Sequence, residues 1–394
     1  MRLLSRVRSV RAVVTVGLGS LALAWATYLY WSHVDSRASR GEAPHDLEVF
    51  LAAAGRVLDG ASPYAFHADQ TYAYPPLLAY VVAPLHPLSV GAATAVWTVL
   101  SLAAVAASLW LLGVRDWRCY CLTALYPTTR SAVDLGTVGP LLLLAAAAAW
   151  RWRERVVRSA GALAVAVVLK LFLWPLAIWP ALLRRRPTAL VTASFAVALA
   201  LVPWAAIGFE GLGDYPGLLR HLADDEAGAS YSVYALGVRV KLPDAVATIV
   251  SLLVAAVFLL LAWYVARDRL RTPRDREAAS LTLVLAAALA ASPIVWMHYF
   301  LLLLVPLALT RPRLSPLWLV PFAYYPLGET AWPGGDPKKL GLAVVTTLVL
   351  LGASVKRGAG DERVGQRDRA PGAAAVPRLP SVMSRVPPPE TKPG

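Results

Sequence analysis

Long apolar runs alternate with short arginine clusters over most of this chain. Ala12–Trp31, Val90–Gly113, Thr188–Gly208, Asp244–Ala266 and Leu340–Ser354 each approach the length of helix that crosses hydrocarbon, roughly 20 residues. The first run is too long for a signal-peptide core and has no clear small-residue cleavage site, so it reads as a retained helix. Basic residues cluster at Arg2–Arg11, Arg115–Arg118, Arg151–Arg158, Arg184–Arg186, Arg267–Arg276, Arg311–Arg313 and Lys356–Arg369, each beside an apolar run. Placing every cluster on the cytosolic side gives an all-α integral membrane protein with about twelve transmembrane helices and both termini inside. Residues 32 to 73 then form a long first external loop, and the later crossings pair as hairpins over 119–150, 159–183, 187–266, 277–310 and 314–355.

Two segments resist that map. Residues 75–88 carry Pro75, Pro76, Pro84 and Pro87 and read as a broken or interfacial helix. Residues 159–183 have basic clusters on both flanks yet are too short to cross twice, which predicts a hairpin reaching partway, with its apex at Trp174-Pro175. Residues 1–355 thus form the transmembrane domain. The basic, Pro-rich stretch 356–394 reads as a disordered cytosolic tail, because it cannot bury enough apolar surface to fold alone.

Composition agrees: of 394 residues, 58% are hydrophobic and 16% charged, against about 25% charged in soluble domains. The net charge of +14 suggests nucleic acid at first sight, but its confinement to loop ends makes it a record of topology, with no nucleic-acid partner implied. Cys119 and Cys121 are too few for a disulfide framework or a metal site and read as free thiols.

Candidate chemistry lies on the external side. In the first loop, apolar residues at 47, 50, 51, 54 and 58 mark one face of a helix lying on the membrane surface, stripe down. Asp46 stands at its head, where two roles remain open: an N-cap, or a general base beside the positive end of the helix dipole. Lys170, the lysine inside an apolar run, would reach the outer half of the membrane and could meet a lipid phosphate there, a reading its distance from both basic clusters favours over a lysine snorkelling from a helix end. His298, at the apex of the 277–310 hairpin, fits phosphate binding and an aromatic-belt position with Trp296 and Tyr299 equally well. Arg130 and Asp134 bracket another apex and read as a local ion pair. The loop 209–243 holds Arg220, His221, Asp224, Asp225, Glu226, Arg239 and Lys241, mostly solvated charges, one of which could hold a sugar or phosphate. No P-loop, zinc-ligand pair or nucleophile elbow is present, so no motif supports a nucleotide donor. The Asp224-Asp225-Glu226 run could suggest a divalent ion but is one contiguous patch without supporting spacing, and neither a metal nor another cofactor is expected.

Four blocks follow one another along the chain: Asp46-Leu47-Glu48-Val49-Phe50 through Leu58-Asp59-Gly60-Ala61-Ser62-Pro63-Tyr64; Tyr74-Pro75-Pro76-Leu77; Leu169-Lys170-Leu171-Phe172 with Trp174-Pro175; and Ser292-Pro293 through Trp296 and His298. In order and spacing they resemble glycosyltransferase family 87 of the GT-C superfamily, whose characterised members include polyprenol-phosphate-mannose-dependent mannosyltransferases. The resemblance implies an inverting glycosyltransferase of the plasma membrane with an external active site. Its expected partners are a polyprenyl-phosphate sugar donor, with mannose the expected sugar, a glycolipid or cell-envelope glycan acceptor, and membrane lipids. It implies that Asp46 is the catalytic base and that Lys170 and His298 meet the donor phosphate, with Glu48, Tyr74, Arg220 and Trp296 as supporting candidates. One departure stands out: Gly136-Thr137-Val138-Gly139 occupies the place of a family Gly-Gln-x-Asn. The rival classes are a lipid or solute transporter and a non-catalytic membrane subunit. Polar groups gathered at one face beside an amphipathic helix favour an interfacial enzyme over midplane transport sites.

Overall fold

The computed structural model describes residues 2–64, 72–226, 229–328 and 336–355, with the side chains of residues 2–16 excepted. The expected disordered tail lies outside the described residues. Every helix or strand assigned among them is helical. The chain opens with α1 (Arg2–Ala38), α2 (His45–Leu58) and a short α3 (Leu77–Val82), then α4 (Val90–Leu111). Next come α5 (Trp117–Leu125), α6 (Pro127–Asp134), α7 (Gly139–Arg151), α8 (Val156–Leu169) and α9 (Pro175–Leu182). The long α10 (Arg186–Ala206) leads through α11 (Tyr215–Glu226) and α12 (Val233–Arg239) to α13 (Asp244–Arg267). The remainder is α14 (Pro273–Ala291), α15 (Leu304–Thr310) and α16 (Pro337–Val355), with 3₁₀ stretches at Leu171–Leu173, Met297–Leu303 and Pro316–Tyr324.

Among the described residues, four helices are long and apolar enough to cross a membrane: α4, α10, α13 and α16. They are peripheral, with α10 and α13 burying only 17% and 22% of their apolar windows. The interior is made by shorter elements, chiefly α7, α14 and the segment Met297–Thr310, whose side chains are almost all buried. Runs of alanine, Ala145–Ala149 in α7 and Ala286–Ala288 in α14, let helix backbones approach closely without a hydrophobic drive from surrounding lipid. Residues 75–88 are a broken element, six α-helical residues followed by a 3₁₀ turn at Ala83–Leu85, as four prolines require.

The 159–183 segment is a partial hairpin. α8 has 14 residues, so at 1.5 Å per residue it rises about 21 Å, short of the roughly 30 Å of hydrocarbon. It breaks at Lys170, whose extended backbone (φ −155, ψ 106) precedes the 3₁₀ turn, and Pro175 starts the return helix. The turn therefore runs from Lys170 to Trp174, a little ahead of the expected apex. The two ends meet again where Arg185 donates to the Arg153 carbonyl and pairs with Glu154 at 2.8 Å.

Two expectations for α2 are corrected. Its apolar stripe does not lie on lipid: Leu47, Phe50, Ala53, Ala54 and Val57 are buried against α3 and neighbouring helices, while Leu58 is 58% exposed. Phe50 meets Tyr74 and Trp97 edge-on at 5.1 and 6.0 Å, so aromatic neighbours replace the membrane as the buried partner. Nor does Asp46 cap the helix. Pro44 holds the N-cap position with no side-chain capping bond, and Asp46 falls inside the first turn.

Candidate active site

The first turn of α2 is held by the connection between α6 and α7. The Asp46 backbone N–H donates to the Leu135 carbonyl at 2.8 Å, and the Trp97 indole donates to the Gly136 carbonyl at 2.8 Å. Gly136 has φ +70, and a Cβ there would stand 2.8 Å from Leu47 Cβ and 2.9 Å from Pro44 Cβ. Only glycine both adopts that backbone and lets α2 come so close. The altered Gly136–Gly139 segment thus contributes backbone: Thr137 is fully buried, and its hydroxyl accepts from the Gly139 N–H at 3.2 Å.

Tyr74 is brought to Asp46 by a lattice of tyrosines. The Tyr64 hydroxyl donates to the Tyr74 carbonyl at 3.0 Å, Tyr72 to that of Pro75 at 2.9 Å, and Tyr215 to that of Ala73 at 3.1 Å. From the α8–α9 turn, Lys170 Nζ donates to the Tyr74 hydroxyl at 3.2 Å. The same ammonium lies over the Tyr299 ring at 4.1 Å and the Tyr74 ring at 5.1 Å. Phe172 stacks on the far side of this group, 4.9 Å from Tyr299 at an interplanar angle of 15°. Asp46 and Lys170 interact electrostatically without closing into a direct ion pair, leaving the phenol between them.

His298 completes the group. It is 4% exposed, its ring meets Tyr299 at 4.9 Å, and it feels the charge of Lys170. Neither ring nitrogen has a hydrogen-bond partner. Buried polar atoms are nearly always paired, so an imidazole with two unpartnered nitrogens beside a lysine is an exception that marks His298 as a candidate site residue. It is placed by the strand-like stretch before it, where the Ser230 hydroxyl accepts from the Val295 N–H at 2.9 Å and the Tyr231 N–H donates to the Val295 carbonyl at 2.8 Å.

The structure therefore brings together Asp46, Tyr74, Lys170 and His298, from a surface helix and three separate apolar segments. Trp296 is half-buried and packs on the core two residues before His298. Glu48 and Arg220 are exposed on α2 and α11. Arg130 and Asp134 form the expected i,i+4 ion pair at 3.1 Å. Asp224 accepts from the Tyr234 hydroxyl at 3.0 Å and Asp225 pairs with His221 at 3.3 Å, so these carboxylates are engaged by local partners. Among the described residues, no group of three His, Cys, Asp or Glu side chains is placed to hold a metal ion. Sequence reasoning missed Tyr299 as the aromatic face under Lys170, and Ser230 and Tyr231 as anchors of His298. The first signal was available, since Tyr299 adjoins His298; the serine and tyrosine lie in an irregular loop with no pattern to mark them.

Burial pushes the Asp46 carboxyl above the usual carboxylate range, while Lys170, His45 and the Tyr74 hydroxyl each pull it back. Burial and the Asp46 charge keep the Tyr74 phenol protonated, with its pKa well above the ordinary value. The phenol consequently acts as a donor toward the carboxylate while accepting from Lys170. A carboxylate tuned upward and a cation held apart from it form a pair suited to moving a proton on one side and meeting negative charge on the other.

Fold and site define a helical membrane protein in which a cluster of ionisable and aromatic groups gathers at the turn of a short hairpin. The chain belongs to glycosyltransferase family 87, whose sequence profile matches residues 72–293. That stretch contains Tyr74 and Lys170, begins after Asp46 and ends before His298. Comparison with curated proteins and with solved structures finds no significant match. The family makes the protein a glycosyltransferase, which favours the enzyme reading over a transporter.

Proposed function

We propose that the protein transfers a sugar, mannose, from a polyprenyl-phosphate donor to a hydroxyl of a glycolipid or cell-envelope glycan at the external face of the plasma membrane, with inversion. The observation that carries this reading is the convergence of Asp46, Tyr74, Lys170 and the unpartnered His298 at the membrane-side break of α8. In this mechanism the acceptor hydroxyl gives its proton to Asp46 as its oxygen attacks the anomeric carbon. The bond from that carbon to the phosphate oxygen breaks, and polyprenyl phosphate leaves with its new charge facing Lys170 and His298. Donors already aimed at that charge in a water-poor site stabilise the transition state without reorganising. In this reading the donor enters from the bilayer into a GT-C-type arrangement of about twelve spans.

Incubating the purified protein in detergent with radiolabelled polyprenyl-phosphate mannose and extracted envelope acceptors tests the donor. Labelled product forming without any ion gradient is expected. Intact donor after prolonged incubation, with a nucleotide sugar consumed instead, would overturn the assignment.

A further inference from the structure

Away from that site, the opposite end of the bundle carries a second constellation. Some arginines there have carboxylate partners. Arg118 pairs with Asp116 at 2.7 Å, Arg271 with Asp268 at 3.1 Å, and Arg153 and Arg185 both grip Glu277 at 2.6 Å. Arg184, Arg186, Arg267, Arg269 and Arg276 have none among the described residues. Four of these five, Arg184, Arg267, Arg269 and Arg276, line a single cavity of about 450 Å³ with Leu183 and Pro273. The carboxylate on its wall, Glu277, is the one already neutralised by Arg153 and Arg185. Arg184 holds a left-handed backbone (φ 60), a conformation unfavourable for a residue other than glycine.

This cavity opens into a second, of about 700 Å³, which shares Arg184 and Arg267 and adds Arg186 with the apolar Ala181, Ala189 and Leu190. Leu190 is 70% exposed. The same face of α10 continues at helical spacing through Ala193, Ser194, Val197, Ala198 and Leu201, which line a third groove of about 500 Å³. α10 and α13 both pack on α9 and make no substantial contact with one another. The result is a cleft between two membrane-length helices, floored by the short α9, lined below by small and aliphatic side chains and headed by cations without carboxylate partners among the described residues, of which Arg267 lies over the Trp263 ring at 4.1 Å.

We propose that this cleft binds an anionic glycerophospholipid, its phosphate among Arg184, Arg267, Arg269 and Arg276 and an acyl chain along the Ala189–Leu201 face of α10. Charge complementarity selects the lipid: guanidinium groups without carboxylates favour phosphate, and their position at the ends of lipid-facing helices puts them at headgroup depth. A zwitterionic lipid would bring its own cation into the cluster and lose that advantage. The site is separate from the Asp46 group, since α8 alone puts about 21 Å between the arginine end and Lys170.

Native mass spectrometry of the purified protein in detergent, titrated in parallel with phosphatidylglycerol, phosphatidylcholine and glycerol 3-phosphate, tests this. Phosphatidylglycerol is expected to be retained at least about tenfold better than phosphatidylcholine, and Arg184→Gln/Arg276→Gln is expected to erase the preference. Ala193→Trp, which fills the groove and leaves every arginine in place, is expected to weaken phosphatidylglycerol retention while monodisperse elution shows an intact fold. Equal retention of the two lipids by the native protein would overturn the proposal, as would unchanged retention in both variants. Glycerol 3-phosphate binding as tightly as the lipid would remove the acyl groove from it.

Discussion

At Asp46, burial and charge oppose one another, and the balance decides what the residue can do. A carboxylate fully solvated at a helix end would be too weak a base to take a hydroxyl proton; burial raises its affinity, and Lys170 with Tyr74 keeps it from staying protonated. Because the reaction needs the ionised form, rate should climb as pH rises through the raised Asp46 pKa, so the acid limb of kcat/KM should lie above the ordinary carboxylate range. Tyr74→Phe removes one of the groups lowering that pKa. The variant should lose about tenfold in rate and move the acid limb to higher pH, which a pH profile of the purified enzyme will show. An unmoved limb would make Tyr74 a packing residue. Lys170 and Asp46 stood out as individuals, the lysine because an ionisable group within an apolar run is costly and the aspartate because it heads an amphipathic helix. Their connection through a phenol was not, since Tyr74 stands among prolines and tyrosines with no periodicity to aim it.

Between residues and the bundle, the element that matters is the first turn of α2. Its position depends on the α6–α7 connection, where Gly136 supplies both the left-handed backbone and the space for Leu47 and Pro44. Gly136→Ala should cost about 1–2 kcal/mol from the backbone alone and should lower kcat well beyond that, because the intruding methyl displaces the turn carrying Asp46. Thermal melts beside turnover will separate the two. At the other end, Asp116 caps α5 through the Arg118 N–H, pairs with the Arg118 guanidinium, and accepts from the Leu314 N–H at 3.0 Å, tying α5 to the chain after α15. The Arg118 guanidinium holds its carboxyl down at about 2. A depressed pKa gives stability that is complete above the unfolded value near 4 and is lost as pH falls through about 2. Asp116→Ala should therefore destabilise by on the order of 1–2 kcal/mol at neutral pH, and the deficit should shrink in acid melts. The amphipathic period of α2 was readable, but not which surface it would cover, because a stripe of Leu, Phe and Ala suits lipid and protein alike.

For the molecule as a whole, alternating apolar runs and arginines revealed the helical class, and the short hairpin at 159–183 followed from charge on both flanks. The number of full crossings was less legible. Prolines at 84, 127, 175 and 306 divide apolar stretches into helices shorter than a span, and composition alone does not show which breaks stay buried. The convergence of α2, the α8 break and the Met297–Leu303 turn is a long-range arrangement of the kind one sequence does not reveal without a family to compare. The most direct test of the account is transfer of labelled mannose from polyprenyl-phosphate mannose by purified native protein and by Asp46→Asn. The substitution removes the base and also a partly buried charge, so the variant should keep or gain thermal stability while transfer falls by about 10³-fold or more. Near-native transfer by a well-folded Asp46→Asn protein would contradict it.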